Sequence, residues 1–231
     1  MSPQRDVSSP VLSSSSLSGL YVILDAHASR GRPLMEMMMA ALAGGARIFQ
    51  YRDKDSSARE AYDRALPLSQ AARNGDAIFL VNDRCDLALA VEADGVHLGQ
   101  DDLPLALARS VMGAGKLIGV STHRLEQVVT ATEGGADYLG FGPIFETGTK
   151  LDHEPVVGIE GLRHVRSHTS LPVFAIGGIS LERVDSVMEA GANGVAVISA
   201  LMGADDVAGT ARAFIERVAR RDRRGSESRG Q

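Results

Sequence analysis

The sequence predicts an α/β protein that folds as a single (β/α)8 TIM barrel. Eight short apolar segments alternate with eight segments of helical periodicity, and 231 residues are close to the ~250 that such a barrel typically needs. Strict alternation of strand and helix indicates a parallel sheet, and repeated right-handed crossovers close most simply as a barrel. An open, doubly wound sheet is the alternative arrangement of the same segments.

The eight predicted strands are near-continuous runs of β-branched and other apolar residues. This pattern is typical of parallel strands that are buried on both faces. The predicted strands comprise residues 20–26, 46–52, 77–83, 95–99, 117–122, 137–144, 172–179 and 194–200.

The segments between the strands have helical spacing and carry helix-end signals. Pro33 stands near a first turn, a Ser precedes the second helix as a candidate N-cap, and Asn74-Gly75 follows that helix. No long linker interrupts the alternation, so we expect one barrel domain at 18–220 with flexible tails at 1–17 and 221–231. The predicted helices comprise residues 33–43, 56–73, 84–91, 103–112, 125–133, 159–168, 181–190 and 205–219.

Composition excludes several classes of function. The formal net charge of −5 argues against general nucleic-acid binding, and the single cysteine, Cys85, makes an intrachain disulfide impossible. No apolar run is long enough to span a membrane, and the Ser-rich N-terminal segment lacks the apolar core of a secretory signal. We therefore expect a cytoplasmic protein with no nucleic-acid or membrane partner.

Polar or glycine-rich residues follow seven of the eight predicted strands. In a barrel of this kind the chemistry takes place at the C-terminal ends of the strands, so these residues are expected to meet at one mouth. In strand order from the second to the eighth, representative residues are Arg52, Asp83, Asp102, Ser121, Lys150, Gly178 and Ser199.

Cationic residues near this mouth suit a polyanionic ligand. Gln50, Arg52 and Lys54 alternate, so they share a face of an extended strand end. Lys150 adds a third cation within a loop that contains Thr147 and Thr149. Any one of these charges alone could be a solvated surface residue, but their convergence favours a diphosphate-type ligand.

Asp83 and Asp102 form a candidate carboxylate pair. They follow neighbouring strands, and Mg²⁺ is typically held by one or two carboxylates together with waters and substrate oxygens. A turn role for Asp83 and a helix-capping role for Asp102 are the alternatives, and Asp101 is a rival ligand.

Gly177-Gly178 and Ser199 end the seventh and eighth strands. These two loops commonly form the phosphate site of a barrel, because glycines let backbone N–H groups approach an anion closely. His97 lies within the fourth strand, where a satisfied interior imidazole is favoured over a catalytic one. His123 follows the fifth strand and could assist binding.

Long stretches of the chain resemble thiamine phosphate synthase. These are GARIFQYRDK, FLVNDRCDLALAVEADGVHLGQDDLP, IGVSTH, ADYLGFGPIFETGTK, PVFAIGGIS and GANGVAVISAL, in the order of the family, across about residues 20–202. The family fold is a (β/α)8 barrel. The resemblance implies a transferase of thiamine biosynthesis that joins a pyrimidine diphosphate to a thiazole phosphate and releases pyrophosphate by a dissociative, Mg²⁺-dependent substitution.

The same resemblance implies a role for each site residue. The pyrimidine diphosphate is expected to bind Gln50, Tyr51, Arg52, Asp53, Lys54, Asn82, Ser121 and Lys150. Of these, the catalytic residues are expected to be Arg52, Lys54, Ser121 and Lys150. The thiazole phosphate is expected to bind Thr147, Gly148, Thr149, Gly178, Ile198 and Ser199. One Mg²⁺ ion per subunit is expected at Asp83 and Asp102.

The sequence leaves three rival functions open. A thiazole tautomerase of the same fold would not need the cations together with two metal-binding carboxylates. A different phosphate-binding barrel enzyme and a non-catalytic thiamine-precursor binding protein are the others. We expect small-molecule substrates as the main partners, and the sequence leaves homo-oligomerisation open.

Overall fold

A computed structural model describes residues 17–148 and 154–227 of the chain, and it confirms the closed barrel. Eight parallel strands follow one another in sequence order, and β1 pairs with β8 to close the sheet. The open-sheet alternative is therefore excluded. The strands are β1 (Gly19–Asp25), β2 (Ile48–Arg52), β3 (Ile78–Asn82), β4 (Gly95–Leu98), β5 (Leu117–Thr122), β6 (Tyr138–Phe141), β7 (Val173–Ile176) and β8 (Gly194–Val197).

Helices connect the strands around the outside of the barrel. None of the helices in the described part of the chain is long and apolar enough to cross a membrane. A short 3-10 helix, Leu181–Arg183, precedes α7. The α-helices are α1 (Leu34–Ala43), α2 (Ala58–Asn74), α3 (Cys85–Ala90), α4 (Leu105–Met112), α5 (Leu125–Glu133), α6 (Gly158–Arg166), α7 (Val184–Glu189), α8 (Ser199–Met202) and α9 (Val207–Glu227).

The start of α2 shows how local sequence sets an element boundary. Ser57 is the N-cap, and its hydroxyl accepts a hydrogen bond from the Glu60 N–H at 3.3 Å. The Glu60 carboxylate accepts one from the Ser57 N–H at 2.9 Å. This reciprocal pair satisfies two backbone donors that the first turn leaves without helical partners.

Side chains on β2 alternate between the barrel interior and the surrounding helices. Gln50 reaches inward to Tyr21, whereas the buried Tyr51 hydroxyl donates to Asp53 at 2.8 Å in the loop that leads to α2. Arg52, two residues after Gln50, turns inward again to Asp25. The strand period of two therefore directs Gln50 and Arg52 into the same space.

The barrel interior contains packed aromatic rings from β1, β6 and β7. Tyr21 of β1 meets Phe174 of β7 with ring centroids 5.3 Å apart and Tyr138 of β6 at 6.0 Å. Tyr138 and Phe174 pack edge to face at 5.8 Å. Edge-to-face pairs stabilise the fold in addition to the stabilisation that burial of their area gives. These rings pack together below the mouth of the barrel.

The ends of the chain differ in detail from the predicted boundaries. Leu17, assigned to the N-terminal tail, is buried against the core. The last helix runs to Glu227, past the predicted end at residue 219, because Arg-rich sequence has good helix propensity. Residues 1–16 and 228–231 lie outside the described part, so the tails remain a prediction.

Candidate active site

A cavity of about 440 Å³ opens at the C-terminal ends of β5 to β8. Four residues expected to bind the thiazole phosphate line this cavity, together with one expected to bind the pyrimidine diphosphate. They are Thr147, Gly178, Ile198, Ser199 and Ser121. Gly148 is exposed on the same loop as Thr147. Thr149 and Lys150 lie outside the described residues, so their roles remain predictions.

The Gly177-Gly178 turn after β7 requires glycine at both positions. The φ angles are +99° and +62°, values that L side chains rarely adopt. A Cβ on Gly177 would lie 2.5 Å from the Pro143 Cβ, and one on Gly178 would lie 2.4 Å from the Glu146 carbonyl oxygen. The backbone therefore approaches the neighbouring loop in a way that no larger residue permits.

Arg183 secures this turn from the outer side. Its guanidinium donates to the Gly178 carbonyl oxygen at 2.6 Å and lies 4.5 Å from the centroid of the Phe145 ring. The charge-assisted hydrogen bond and the cation–π contact together hold the turn in place. The sequence contained no signal for this role, because Arg183 belongs to a helical segment rather than to a strand end.

Asp25 holds Arg52 at the end of β2. The carboxylate of Asp25 forms an ion pair with the Arg52 guanidinium and also accepts a hydrogen bond from the Ala28 N–H at 2.8 Å. The two side chains are 3% and 16% exposed, so little solvent competes with the pair. Sequence reasoning missed Asp25, although a lone acid that ends an otherwise apolar strand is the signal that could have found it.

The side chains of Tyr51 and Asp53 bind their own loop rather than the cavity. The Asp53 carboxylate accepts hydrogen bonds from the Tyr51 hydroxyl, from Arg64 at 3.0 Å and from the Ser56 N–H at 3.1 Å. Burial raises the pKa of Asp53, but the hydrogen bonds from Tyr51 and Ser56 outweigh this effect and lower the pKa overall. Both residues are thus suited to holding the loop that contains Lys54.

Asp83 and Asp102, the two residues expected to bind a metal ion, lie next to each other. Burial, and next the adjacent Asp102 carboxylate, raise the pKa of Asp83, whereas Lys54 lowers it. The Lys54 ammonium lies 3.1 Å from Asp83, and Asp102 accepts a hydrogen bond from the Gly99 N–H at 2.6 Å. Two carboxylates forced together carry an electrostatic cost that a divalent cation would remove.

This donor set fits Mg²⁺ rather than a transition metal. Among the residues the structure describes, no group of three or more His, Cys, Asp or Glu side chains could hold a metal ion. Mg²⁺ commonly uses only one or two carboxylates and completes its shell with waters and substrate phosphates. Asp101, the rival ligand, is exposed, whereas Asp102 is half-buried and contacts Asp83.

Comparisons with known proteins identify the family of the chain. A model of the family described as thiamine monophosphate synthase matches residues 20–201. A thiamine-phosphate synthase of Chloroflexus aurantiacus is 51% identical over 193 residues, which cover 84% of this chain and 89% of that protein. The enzyme of the same name from Moorella thermoacetica is 46% identical over 201 residues, or 87% and 96% of the two chains.

A solved structure gives the same result. The thiamine phosphate pyrophosphorylase from Pyrococcus furiosus superposes with a TM-score of 0.80 at 42% identity, covering 87% of this chain and 96% of that one. The resemblance stated from the motifs is therefore confirmed. The chain belongs to the thiamine monophosphate synthase family, a family of transferases in thiamine biosynthesis.

Proposed function

We propose that the chain condenses a pyrimidine diphosphate with a thiazole phosphate at this mouth, with one Mg²⁺ ion held by Asp83 and Asp102. The observation that carries the proposal is the contact between these two carboxylates beside Lys54. The two negative charges repel each other, and a bound metal ion with a diphosphate ligand would remove that repulsion. When bound, Mg²⁺ neutralises charge on the leaving diphosphate as a Lewis acid.

The residues of the chain divide the two substrates between them. Arg52 and Lys54 bind the diphosphate, Arg52 as a fork fixed by Asp25 and Lys54 as an exposed point charge beside Asp83. Gln50 and Ser121 orient the pyrimidine from below, and Asn82, at the end of β3, is assigned to the same substrate. Tyr51 and Asp53 contribute by holding the loop of Lys54 rather than by direct contact.

The thiazole phosphate occupies the cavity on the other side of the mouth. Backbone N–H groups near Gly178 and the Ser199 hydroxyl bind its phosphate, and Thr147 lines the cavity from the loop after β6. Gly148 and Thr149 are also assigned to this substrate. Ile198 provides an apolar wall. Ser121 lines this cavity and is also assigned to the pyrimidine, so the two substrates would bind side by side.

The chemistry needs no side-chain nucleophile. Departure of pyrophosphate develops negative charge, which Arg52, Lys54 and Lys150 would stabilise electrostatically. The aminopyrimidine donates electrons to its own methylene cation, so the protein only has to hold the two substrates in line and exclude water. We also propose a reducing compartment, the cytoplasm, because the single thiol, Cys85, is free and buried.

An assay of pyrophosphate release in the presence of both substrates and Mg²⁺ tests the proposal. We expect release only when both substrates are present, and we expect Asp83→Ala to slow it about 100-fold or more. A protein that releases no pyrophosphate, or one that acts on the thiazole phosphate alone, would contradict the reaction.

Two neighbouring acids provide a matched comparison in the same assay. Asp102→Ala should lose activity as Asp83→Ala does, whereas Asp101→Ala should stay within about threefold of the wild type, because its side chain points to solvent. The reverse ranking would show that Asp101 is the ligand.

A further inference from the structure

A chain of buried polar side chains crosses the barrel interior below the mouth. Gln50 Nε2 lies 2.6 Å from the Tyr21 hydroxyl, which lies 2.9 Å from the Tyr138 hydroxyl. His97 Nδ1 is 3.0 Å from the Tyr138 hydroxyl, and His97 Nε2 is 2.9 Å from Ser121 Oγ. The chain thus links β2 to β5, and both of its ends are proposed pyrimidine-binding residues.

The fold makes room for this chain at two glycines. A Cβ on Gly119 would lie 2.1 Å from Tyr138 Cζ, and one on Gly140 would lie 3.2 Å from His97 Cε1. Tyr21 and Tyr138 are 2% and 1% exposed. The two glycines therefore leave the space that the Tyr138 ring and the His97 imidazole occupy.

The chemistry of the first residue gives the chain a direction. The amide nitrogen of Gln50 can only donate, so the Tyr21 oxygen accepts its hydrogen bond. The Tyr21 hydroxyl then donates its own hydrogen bond to the Tyr138 oxygen. The Tyr138 hydroxyl in turn donates a hydrogen bond to His97 Nδ1. Because Nδ1 accepts, a neutral imidazole must have its proton on Nε2. Nε2–H donates to Ser121 Oγ.

The opposite direction of donation would leave one buried hydroxyl proton without an acceptor in this series of hydrogen bonds. If Ser121 donated to His97, then His97 would donate to Tyr138 and Tyr138 to Tyr21. The Tyr21 oxygen would receive two donors, and its own proton would find no acceptor among these five residues. A buried hydroxyl proton without an acceptor is unfavourable, which favours the first direction.

We infer that Tyr21, Tyr138 and His97 are positioning residues that hold the imidazole as its Nε2–H tautomer. Ser121 Oγ therefore accepts from below and directs its own proton into the cavity, toward an acceptor atom of the pyrimidine diphosphate. This inference rests on the proposed placement of that substrate between Gln50 and Ser121. It assigns a function to three residues that touch no substrate themselves.

The tautomer can be measured without activity. Nitrogen-15 NMR of the histidine side chains, with the His97 signals assigned by their loss in His97→Gln, should show a protonated Nε2 and an unprotonated Nδ1. A protonated Nδ1 in the wild-type protein would overturn the inference.

A double-mutant cycle tests the link to Ser121. Tyr138→Phe should lower kcat/KM for the pyrimidine diphosphate about threefold to tenfold, as the loss of one hydrogen bond does. Ser121→Ala should do at least as much, and the double variant should be no worse than Ser121→Ala within about twofold. Effects that multiply would show that Tyr138 does not act through Ser121.

Controls separate this inference from folding and from the proposed function. Tyr62→Phe removes a hydroxyl from α2, outside the barrel interior, and should leave kcat/KM unchanged. If Tyr138→Phe does not fold, Tyr21→Phe breaks the same chain one link earlier and should show the same coupling. A wild-type protein that releases no pyrophosphate would contradict the proposed function and leave the tautomer result standing.

Discussion

The ion pair between Asp25 and Arg52 gives the sharpest test of how the mouth is held together. Asp25→Ala removes the partner of the Arg52 guanidinium and the acceptor for the Ala28 N–H at once. In the intact pair the Arg52 side chain is only 16% exposed, so water can replace only part of the lost interaction.

The size of the effect follows from this burial. Removing one partner of a buried ion pair typically costs about 3–5 kcal/mol, and the small remaining exposure of Arg52 places the expected loss near 3 kcal/mol. The exposed pair of Arg59 and Asp63 on α2 provides the control, because its side chains are 84% and 55% exposed. Asp63→Ala should cost only about 0.3–0.5 kcal/mol.

Urea denaturation of the two variants measures both free energies of unfolding. Asp25→Ala should also raise KM for the pyrimidine diphosphate, because the guanidinium that binds the diphosphate loses its fixed orientation. Asp25→Asn, which keeps an acceptor and loses the charge, should fall between Asp25→Ala and the wild type. An Asp25→Ala protein no less stable than Asp63→Ala would refute the reasoning.

Three further predictions follow from the site. Because the pKa of Asp83 is raised, its ionised form costs stability above that pKa, so Asp83→Asn should raise the metal-free Tm near pH 7 and abolish the rise in Tm on adding Mg²⁺. The Mg²⁺-dependent rise should fade on acidification at a higher pH than an ordinary aspartate would give, which thermal scans across pH can check. Gly178→Ala should raise KM for the thiazole phosphate about tenfold or more in steady-state kinetics, since its Cβ would lie 2.4 Å from a carbonyl oxygen; an unchanged KM would place that phosphate elsewhere. Lys150→Ala should slow pyrophosphate release about 100-fold with little change in Tm, and wild-type turnover would remove it from the site.

The arrangement of the barrel could be predicted because parallel strands buried on both faces produce long apolar runs. The end of each run then marks the mouth, which is why Asp83 could be paired from sequence with Asp101 or Asp102, about 20 residues away. The resemblance to the family favoured Asp102 over Asp101. The interior position of His97 followed from the same pattern, and the structure confirms it.

Other assignments depended on which way a side chain turns at the strand end. Tyr51 and Asp53 stand between Gln50 and Lys54 in sequence, yet their side chains bind each other beneath α2. The alternation of the strand was visible in the sequence, but the partner that each face would meet was not.

The sequence by itself determined the (β/α)8 architecture, the family and the end of the barrel where the polar residues gather. Local periodicity and ordered motifs are sufficient for these, because each depends on neighbouring residues. Only the tertiary structure decided that Asp25 holds Arg52 and that two tyrosines connect Gln50 to Ser121. The pairs Asp25–Arg52 and Tyr21–Gln50 depend on the register between β1 and β2, and the contact between Tyr21 and Tyr138 joins strands 117 residues apart. That last contact also depends on the space that Gly119 and Gly140 leave inside the barrel.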